Sequence, residues 1–473
     1  MKKLLLLILF ASVVLQALSQ SASKFSGTWQ GTLNVGIELR LVFHIRDDGA
    51  GGFTSTADSP DQSAYGLKCD KTTVEGDMLS ISMDDLQASY SGKLVNDSTI
   101  DGTFTQGGAS VPLLLKKTEK IIERKRPQTP KPPFPYRSEE VEYYNKDKSI
   151  RFGATVTIPN RAGPFPAVVL ITGSGPQNRD EEIMEHKIFA VIADHLTRKG
   201  FIVLRADDRG VGKSTGNFED ATTADFAADA ASHVDYLLTL PETDKNKIGL
   251  IGHSEGGMIA PMVAAGRKDI HFIVMLAGPG VPIIDLMTEQ SAEIIKSSGV
   301  SEKALAQYKP LYRRLVSVAT SNTDTTTALI LAKDKIRKWA NKQKPDILKE
   351  LKLQEAEDQT GFAELIVRSV FTKWFRYFFE FDPAPYLKKL NCKVLALNGD
   401  KDIQVPAWQN LPGIEKALKK SKATAVEIRS LPGLNHLFQT CSTCTVQEYG
   451  QLEETISPVA LEAISSWLEK NVK

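Results

Sequence analysis

One serine stands in a glycine-bounded pentapeptide that could supply a nucleophile. The segment Gly252–Gly256 reads Gly-His-Ser-Glu-Gly and follows an apolar run, Ile248–Ile251, that is typical of a buried strand. A helix is predicted to follow it, near Met258. A serine in the sharp turn between strand and helix exposes its hydroxyl at the edge of the sheet, and the flanking small residues let neighbouring backbone pass closely. We therefore predict that Ser254 is the nucleophile of an acyl-transfer reaction.

A serine nucleophile needs a base, and one histidine fits. In serine hydrolases whose nucleophile lies in such a strand-to-helix turn, the three residues follow the chain order nucleophile, acid, histidine. Of the seven histidines, only His436 lies late enough to follow an acid on a late strand. Two carboxylates follow the apolar run Val394–Leu397, and we favour Asp402 over Asp400 because a residue slightly beyond the turn can reach the His436 loop. We expect the other aspartate to brace the turn.

Two backbone N–H groups are needed to stabilise the negative charge that develops on the attacked carbonyl oxygen. One is predicted to come from Glu255, which follows the serine, and the other from the loop after the first central strand. Pro176 has no N–H, so we choose Gly175, with Ser174 and Gln177 as alternatives. Such chemistry requires no metal and no organic cofactor.

Two adjacent charged residues, Asp208 and Arg209, follow the apolar run Phe201–Leu204. Their segment lacks the glycine and lysine spacing of a phosphate-binding loop. We predict instead that they form a structural ion pair beneath the loops of the site.

Apolar runs and helical segments alternate from Ser149 onwards. Short, uniformly apolar runs are typical of buried parallel strands, and they occur at Ala167–Ile171, Phe201–Leu204, Ile248–Ile251, Phe272–Leu276 and Val394–Leu397. This alternation predicts an α/β fold of the α/β-hydrolase type, with a doubly wound, mostly parallel sheet. After the run Phe272–Leu276 the alternation of strands and helices stops for about a hundred residues, which is much longer than an ordinary connection. We predict a helical cap insertion over about 282–389, above the carboxyl ends of the strands.

The N-terminal part of the chain has a different pattern. Residues 24–118 alternate polar and apolar side chains between frequent turn residues, which predicts a small β-rich, barrel-like N-terminal domain. Residues 119–137 are dense in proline and predict a stiff linker. The α/β-hydrolase domain is then expected to occupy 138–473.

The first residues are typical of a signal peptide. Two lysines precede an apolar run from Leu4 to about Leu15, and small residues follow, so we expect residues 1–19 to be removed by cleavage after Ser19. The run is shorter than the roughly 20 residues that span a bilayer, so we expect no stable membrane insertion. The protein is predicted to be exported, either periplasmic or secreted. Its formal net charge of +1 gives no reason to expect nucleic acid as a partner.

Four cysteines are present, and two of them lie close together. In an oxidising compartment Cys441 and Cys444 could close a short disulfide, with a pair of free thiols as the alternative. A metal site would need a second pair of ligands that the sequence does not offer. Cys69 and Cys392 are expected to be separate buried side chains.

Four segments carry a resemblance to a known family: Gly173–Gln177 with Arg179 and Asp180, Asp208–Ser214, Gly252–Gly256, and Asn398–Val405. Taken together, the chain from about Tyr144 to its C-terminus resembles the EstD-like bacterial carboxylesterases, within the serine-aminopeptidase-like α/β hydrolases. The resemblance implies hydrolysis of small-molecule esters with short acyl groups. It also implies a triad of Ser254, Asp402 and His436. It implies nothing about the N-terminal domain or about Cys441 and Cys444.

Two other functions fit parts of the sequence. A peptidase or aminopeptidase would need carboxylates in the cap to hold an ammonium group, and the candidates are Glu355, Glu357, Asp358 and Glu364. A solvated helix face explains the same residues, and the aromatic run Trp374–Phe379 suits an apolar acyl group instead. Outside enzymes, the N-terminal domain could bind a glycan or a surface, with a polysaccharide as its partner.

Overall fold

The computed structural model of the chain describes residues 24–35, 38–62, 64–107, 109–120 and 124–473. These form two compact units. One comprises the residues up to Arg126 together with Ile183–Glu185, and the other comprises Pro127–Glu182 and His186–Lys473. The signal peptide predicted over residues 1–19 lies outside the described residues.

The first unit is a closed antiparallel β-barrel. Its strands are β1 (Gly27–Asn34), β2 (Glu38–Asp47), β3 (Phe53–Ser59), β4 (Ala64–Lys68), β5 (Lys71–Glu75), β6 (Met78–Met83), β7 (Ala88–Asn96), β8 (Thr99–Gln106) and β9 (Ala109–Thr118). The order β2-β1-β9-β8-β7-β6-β5-β3 closes because β3 also pairs with β2, and β4 is added on β3. Closure leaves the eight strands of the ring without a free edge, and it confirms the barrel-like domain.

Side chains of the barrel itself fill its interior. Along β7, Ala88, Tyr90, Gly92 and Leu94 are buried while Ser89, Ser91 and Lys93 face solvent, as expected for a strand with one apolar face. Trp29 is fully buried and donates its indole N–H to the Phe25 carbonyl over 2.7 Å. The described barrel residues therefore form a packed apolar core, which gives no support to a polysaccharide contact.

The second unit contains a mostly parallel sheet. Its strands are β10 (Tyr136–Tyr144), β11 (Arg151–Pro159), β12 (Phe165–Ile171), β15 (Ile202–Ala206), β16 (Thr243–His253), β17 (Phe272–Leu276), β18 (Lys393–Gly399) and β19 (Thr424–Leu431). The two-residue strands β13 (Glu182–Ile183) and β14 (His186–Lys187) are not part of this sheet. The order is β10-β11-β15-β12-β16-β17-β18-β19, antiparallel only at the β10 and β11 end. Tyr136 already pairs with Pro159, so the sheet begins inside the predicted linker.

Helices cover this sheet, and their order confirms the predicted α/β-hydrolase fold. They are α1 (Ile188–Arg198), α2 (Thr223–Thr239), α3 (Glu255–Gly266), α4 (Ile283–Ser297), α5 (Glu302–Thr320), α6 (Thr325–Ala340), α7 (Pro345–Glu350), α8 (Ala356–Val370), α9 (Lys373–Glu380), α10 (Ala384–Leu387), α11 (Ala407–Leu418) and α12 (Pro458–Asn471). Helices α4–α10 form one insertion between β17 and β18. No helix among the described residues is long and apolar enough to cross a membrane.

The inserted helices are specified locally and pack around a core of their own. Side chains cap three of them at the N-terminus: Ser301 accepts from Ala304 N, Asp324 from Thr327 N, and Thr372 from Phe375 N. Their apolar faces meet in a cluster separate from the core of the sheet, with Leu315, Ile336 and Val367 nearly inaccessible to solvent. The helices α4–α10 are called the cap below.

Candidate active site

Ser254 occupies a strained turn between β16 and α3. Its backbone angles are φ 53° and ψ −116°, a region that residues other than glycine rarely adopt. Close packing enforces this turn: a Cβ atom on Gly252 would lie 1.9 Å from the Gly256 carbonyl oxygen, and one on Gly256 would lie 2.1 Å from the Ile171 oxygen. Ser254 is only partly buried, whereas its neighbours His253 and Glu255 are buried.

His436 and Asp402 lie in contact on neighbouring loops. The Asp402 carboxylate accepts a hydrogen bond from His436 Nδ1 over 2.8 Å, and both side chains are buried. The other Asp402 oxygen accepts from the backbone N–H groups of Gln404 and Val405, each over 2.8 Å. These bonds fix the orientation of the carboxylate. His436 Nδ1 is thereby engaged, and Nε2 is the nitrogen left for proton transfer.

Asp400 lies elsewhere. Its carboxylate accepts from the backbone N–H of Gly433 over 2.7 Å and is substantially exposed. That contact joins the turn after β18 to the start of the loop that carries His436. The structure therefore brings Asp402, and not Asp400, to the histidine.

The loop after β12 is held by buried carboxylates. Gly173 N donates to Glu181 Oε1 over 2.6 Å, and Gln177 N donates to Asp208 Oδ2 over 2.9 Å. The Gln177 N–H is thus already used. Gly175 has a φ of 93°, which a residue with a side chain would adopt only with strain, and within the described chain no protein group accepts from its N–H. Of the three donors considered, Gly175 and Ser174 remain.

The predicted ion pair between Asp208 and Arg209 is wrong. Arg209 instead pairs with Asp229 of α2 through two hydrogen bonds of 2.7 Å. Asp208 turns the other way and accepts from Thr172 Oγ1 over 2.8 Å. The strand ends at Ala206, and Asp208 starts a turn in which Val211 N donates to its carbonyl oxygen, so the two adjacent side chains leave the turn towards different partners. Burial raises the pKa of Asp208 to about 8, although hydrogen bonds from Gln177 N and Thr172 oppose the shift.

The side chain of Glu255 joins three parts of the second unit. Its Oε1 accepts from Thr223 Oγ1 of α2 over 2.6 Å and from Trp374 Nε1 of α9 over 3.0 Å. Burial raises the pKa of this carboxyl group, while hydrogen bonds from Thr223, Ser174 and Trp374 oppose the rise. The residue after Ser254 is therefore fixed both to the sheet domain and to the cap.

A second histidine and carboxylate lie beside the first pair, and although His253 stands in the pentapeptide around Ser254, no sequence signal related it to Glu181. His253 Nδ1 lies 3.0 Å from Glu181 Oε1, and His253 Nε2 lies 3.0 Å from the backbone oxygen of His436. Both side chains are almost fully buried. Burial lowers the pKa of His253, but the Glu181 carboxylate and the two hydrogen bonds outweigh it, so the pKa is raised above its usual value.

Apolar side chains line the junction of α3 with the cap. Met258 of α3 packs in one buried cluster with Ile283, Leu286, Phe378 and Phe381 of the inserted region. Three aromatic side chains at the margin of this cluster stay partly exposed: Trp374, Tyr377 and Tyr386. The surroundings of α3 on this side are thus apolar and aromatic.

The four carboxylates proposed for an ammonium site do not form one. Glu355, Glu357 and Asp358 are exposed at the start of α8. Glu364 pairs with Lys333 of α6 over 2.5 Å. These side chains are solvated or paired within the cap.

Cys441 and Cys444 form a disulfide, with Cα atoms 5.0 Å apart. The adjacent Glu448 accepts from the backbone N–H groups of Ser442, Thr443 and Cys444. Among the described residues, these two cysteines with Glu448 are the group whose atoms could surround a metal ion. Because the sulfurs are bonded to each other and the carboxylate is engaged, the group acts as a brace for the segment after His436.

Comparisons with known proteins agree with this architecture. A family model described as X-Pro dipeptidyl-peptidase (S15 family) matches residues 148–417. Esterase EstD of Thermotoga maritima is 30% identical over 284 residues, which cover 60% of this chain and 57% of EstD. Acyl-coenzyme A thioesterase 1 of Homo sapiens is 27% identical over 177 residues, which cover 36% of this chain and 37% of the thioesterase. The matches therefore span little more than half of EstD and about a third of the thioesterase, and they confirm the EstD resemblance.

Solved structures are matched as well. The esterase Pf2001 of Pyrococcus furiosus aligns over 72% of this chain and 92% of its own, with a TM-score of 0.42 and 16% identity. The hypothetical protein PA2218 of Pseudomonas aeruginosa aligns over 75% of this chain and 100% of its own, with a TM-score of 0.44 and 17% identity.

Proposed function

The chain belongs to the X-Pro dipeptidyl-peptidase (S15) family of the α/β hydrolases, and we propose that within it this protein hydrolyses carboxylic esters with short acyl groups. The contact between His436 Nδ1 and Asp402 is the observation that carries the proposal. It lies on loops at the carboxyl ends of the strands, where the strained turn of Ser254 also lies. The 30% identity to esterase EstD supports an ester as substrate.

In the proposed mechanism, His436 removes the hydroxyl proton of Ser254 as the oxygen attacks the ester carbonyl carbon. Asp402 holds the imidazole in the required tautomer and stabilises the imidazolium that forms. Backbone N–H groups of Glu255 and Gly175 stabilise the oxyanion. The alcohol leaves with the proton from His436, and water then attacks the acyl-enzyme through the same base.

The apolar junction of α3 with the cap supports an acyl group over a charged substrate. A peptide amine would need a carboxylate free to bind it, and the four cap carboxylates are exposed or paired. The description of the matching family model supports the second candidate, cleavage of dipeptides from X-Pro N-termini. Comparing p-nitrophenyl butyrate with an X-Pro nitroanilide separates the two, because an esterase hydrolyses the butyrate at a far higher kcat/KM.

The direct test of the mechanism uses Ser254→Ala. We expect this variant to lose about 10⁴-fold or more in kcat on p-nitrophenyl acetate and butyrate, because removing a triad member leaves only the residual catalysis of the oxyanion donors. A fluorophosphonate should label the wild-type protein once and the variant not at all. Full activity in Ser254→Ala would contradict the proposal.

We propose also that the protein is exported. The sequence pattern of residues 1–19 supports export, and so does the disulfide between Cys441 and Cys444, because disulfides persist in oxidising compartments. Edman sequencing of the mature protein should begin at Gln20. An intact N-terminus in protein from the cell interior would contradict this.

A further inference from the structure

Glu181 joins the loop after β12 to the end of β16 through one carboxylate oxygen. That oxygen accepts from Gly173 N over 2.6 Å and from His253 Nδ1 over 3.0 Å. Gly173 begins the loop that carries Gly175, and a Cβ atom on Gly173 would lie 3.2 Å from Ser254 Cβ. A shift of the Glu181 carboxylate would therefore move the oxyanion loop against the nucleophile.

His253 continues this connection to the histidine loop. Its Nε2 faces the backbone oxygen of His436, which can only accept a hydrogen bond, so Nε2 must carry a proton. Its Nδ1 lies 3.0 Å from the Glu181 carboxylate oxygen. A carboxylate oxygen and an unprotonated ring nitrogen would repel each other at this distance, so a second proton must lie between Nδ1 and Glu181. The rings of His253 and His436 are 4.8 Å apart between centroids. The raised pKa of His253 agrees with an imidazolium paired to a carboxylate.

Core packing alone does not account for this pair. Both side chains are almost fully buried, and within the described chain Glu181 Oε2 has no hydrogen-bond partner. A buried charge pair seldom stabilises a fold better than apolar side chains of similar size. An apolar pair here would, however, leave Gly173 N and the His436 carbonyl without partners.

We propose that Glu181 and His253, as carboxylate and imidazolium, are positioning residues for hydrolysis, which keep the oxyanion loop and the His436 loop in register with Ser254. The proposal rests on the proposed function of Ser254, Asp402 and His436. Glu181 and His253 touch neither the nucleophile's hydroxyl nor the ester in this role. They act through Gly173 and through the backbone of His436.

Glu181→Gln is the most selective test. The glutamine oxygen can still accept from Gly173 N, but the negative charge that keeps both nitrogens of His253 protonated is lost. We expect kcat for p-nitrophenyl butyrate, per site titrated with fluorophosphonate, to fall roughly 10- to 100-fold, since small misplacements of reacting groups have effects of that size. KM should stay within about twofold, because the acyl contacts are unchanged. The kcat of Glu181→Ala should be lower still, because alanine loses both contacts.

His233→Gln is the matched control. His233 of α2 is also buried, and its Nδ1 lies 2.9 Å from the hydroxyl oxygen of Tyr143 on β10, outside the two loops. Its replacement should lower stability but leave kcat per titrated site unchanged. If Glu181→Gln behaves like this control, the pair is only structural and the proposal is overturned. If Ser254→Ala keeps full activity, the proposed function itself has failed, which is a different result.

A second measurement observes the protonation of His253 directly. In ¹⁵N-histidine NMR spectra of the wild-type protein, both ring nitrogens of His253 should carry protons near neutral pH. The resonance is assigned through its change in Glu181→Gln, where one nitrogen should lose its proton. A singly protonated His253 ring in the wild-type protein would overturn the proposal.

Discussion

Trp374 of the cap donates its indole N–H to Glu255, the residue that follows Ser254, over 3.0 Å. The indole also stacks on Phe378, with ring centroids 4.7 Å apart. The contact fastens α9 to the turn that carries Ser254 and the Glu255 N–H. The position of the cap and the geometry of the oxyanion site are thereby coupled through one side chain.

Replacing Trp374 with phenylalanine should loosen this coupling. The ring is retained, but Glu255 Oε1 loses one of its two donors, Trp374 Nε1 and Thr223 Oγ1. We expect a loss of about 1 kcal/mol in the free energy of unfolding and a several-fold loss in kcat/KM, since one buried hydrogen bond contributes in this range. Urea unfolding and ester kinetics measure the two effects.

Trp408→Phe provides the matched control for that substitution. Trp408 is 62% exposed on α11, so the same chemical change removes little buried contact. Its stability and kinetics should equal those of the wild-type protein. Equal effects of the two substitutions would argue against the contact between Trp374 and Glu255.

Asp402→Asn should abolish most of the activity, whereas Asp400→Asn should not. An asparagine at 402 can keep the backbone hydrogen bonds of Gln404 and Val405, but it cannot hold His436 in the same tautomer, so kcat should fall about 10⁴-fold. At position 400 an asparagine oxygen can still accept from Gly433 N, and kcat should stay within about threefold. Steady-state ester kinetics decide between the two carboxylates, and a larger loss at 400 would reverse the assignment.

Removal of the disulfide should affect stability more than catalysis. Replacing Cys441 and Cys444 with serine opens a very short loop, for which chain entropy gives a stabilisation of about 2 kcal/mol. The turn itself is held separately, because Glu448 accepts from the backbone N–H groups of Ser442 and Thr443. We therefore expect a lower Tm with kcat/KM within about twofold of wild type. A large loss of kcat at temperatures well below Tm would show that the disulfide positions His436.

The residues at the ends of apolar runs could be predicted from sequence because their places in the chain fix their places in space. Ser254 and Asp402 each follow a buried strand, and parallel strands bring such ends to one edge of the sheet. The contact between His436 and Asp402 agrees with that expectation. Their catalytic roles stay predictions until the variants are measured.

Sequence patterns do not predict contacts that depend on side-chain packing. Glu181 and His253 are 72 residues apart, and Glu255 and Trp374 are 119 apart, with no periodicity to relate them. For Asp208, adjacency in sequence suggested Arg209 as the partner, but the turn after the strand directs Asp208 to Thr172 and Arg209 to Asp229. Closure of the barrel likewise depends on β2 meeting β3, which alternation alone does not specify.

The buried carboxyl of Asp208 should make stability depend on pH. Its pKa of about 8 in the folded protein lies above the ordinary value of 3.8, so between these values the folded state binds a proton that the unfolded state has released. The contribution to stability is therefore complete below about pH 4 and is lost as the pH rises through 8. In that window each pH unit changes the free energy of unfolding by at most about 1.4 kcal/mol from this group.

Asp208→Asn isolates this contribution. An asparagine matches the neutral acid in shape, because its oxygen can accept from Gln177 N and its amide can donate to Thr172 Oγ1. Within the range from pH 5 upwards the two proteins should be closest in free energy of unfolding at pH 5, where the wild-type protein retains most of the contribution from Asp208. As the pH approaches 8 the free energy of unfolding of the wild-type protein should fall further below that of the variant. Only the wild-type protein must then either bury a charged carboxylate or keep a carboxyl group protonated at a pH at which it is ionised in water. Urea unfolding at intervals from pH 5 to 9 measures the difference, and a difference that stays constant with pH would mean that Asp208 is ionised throughout.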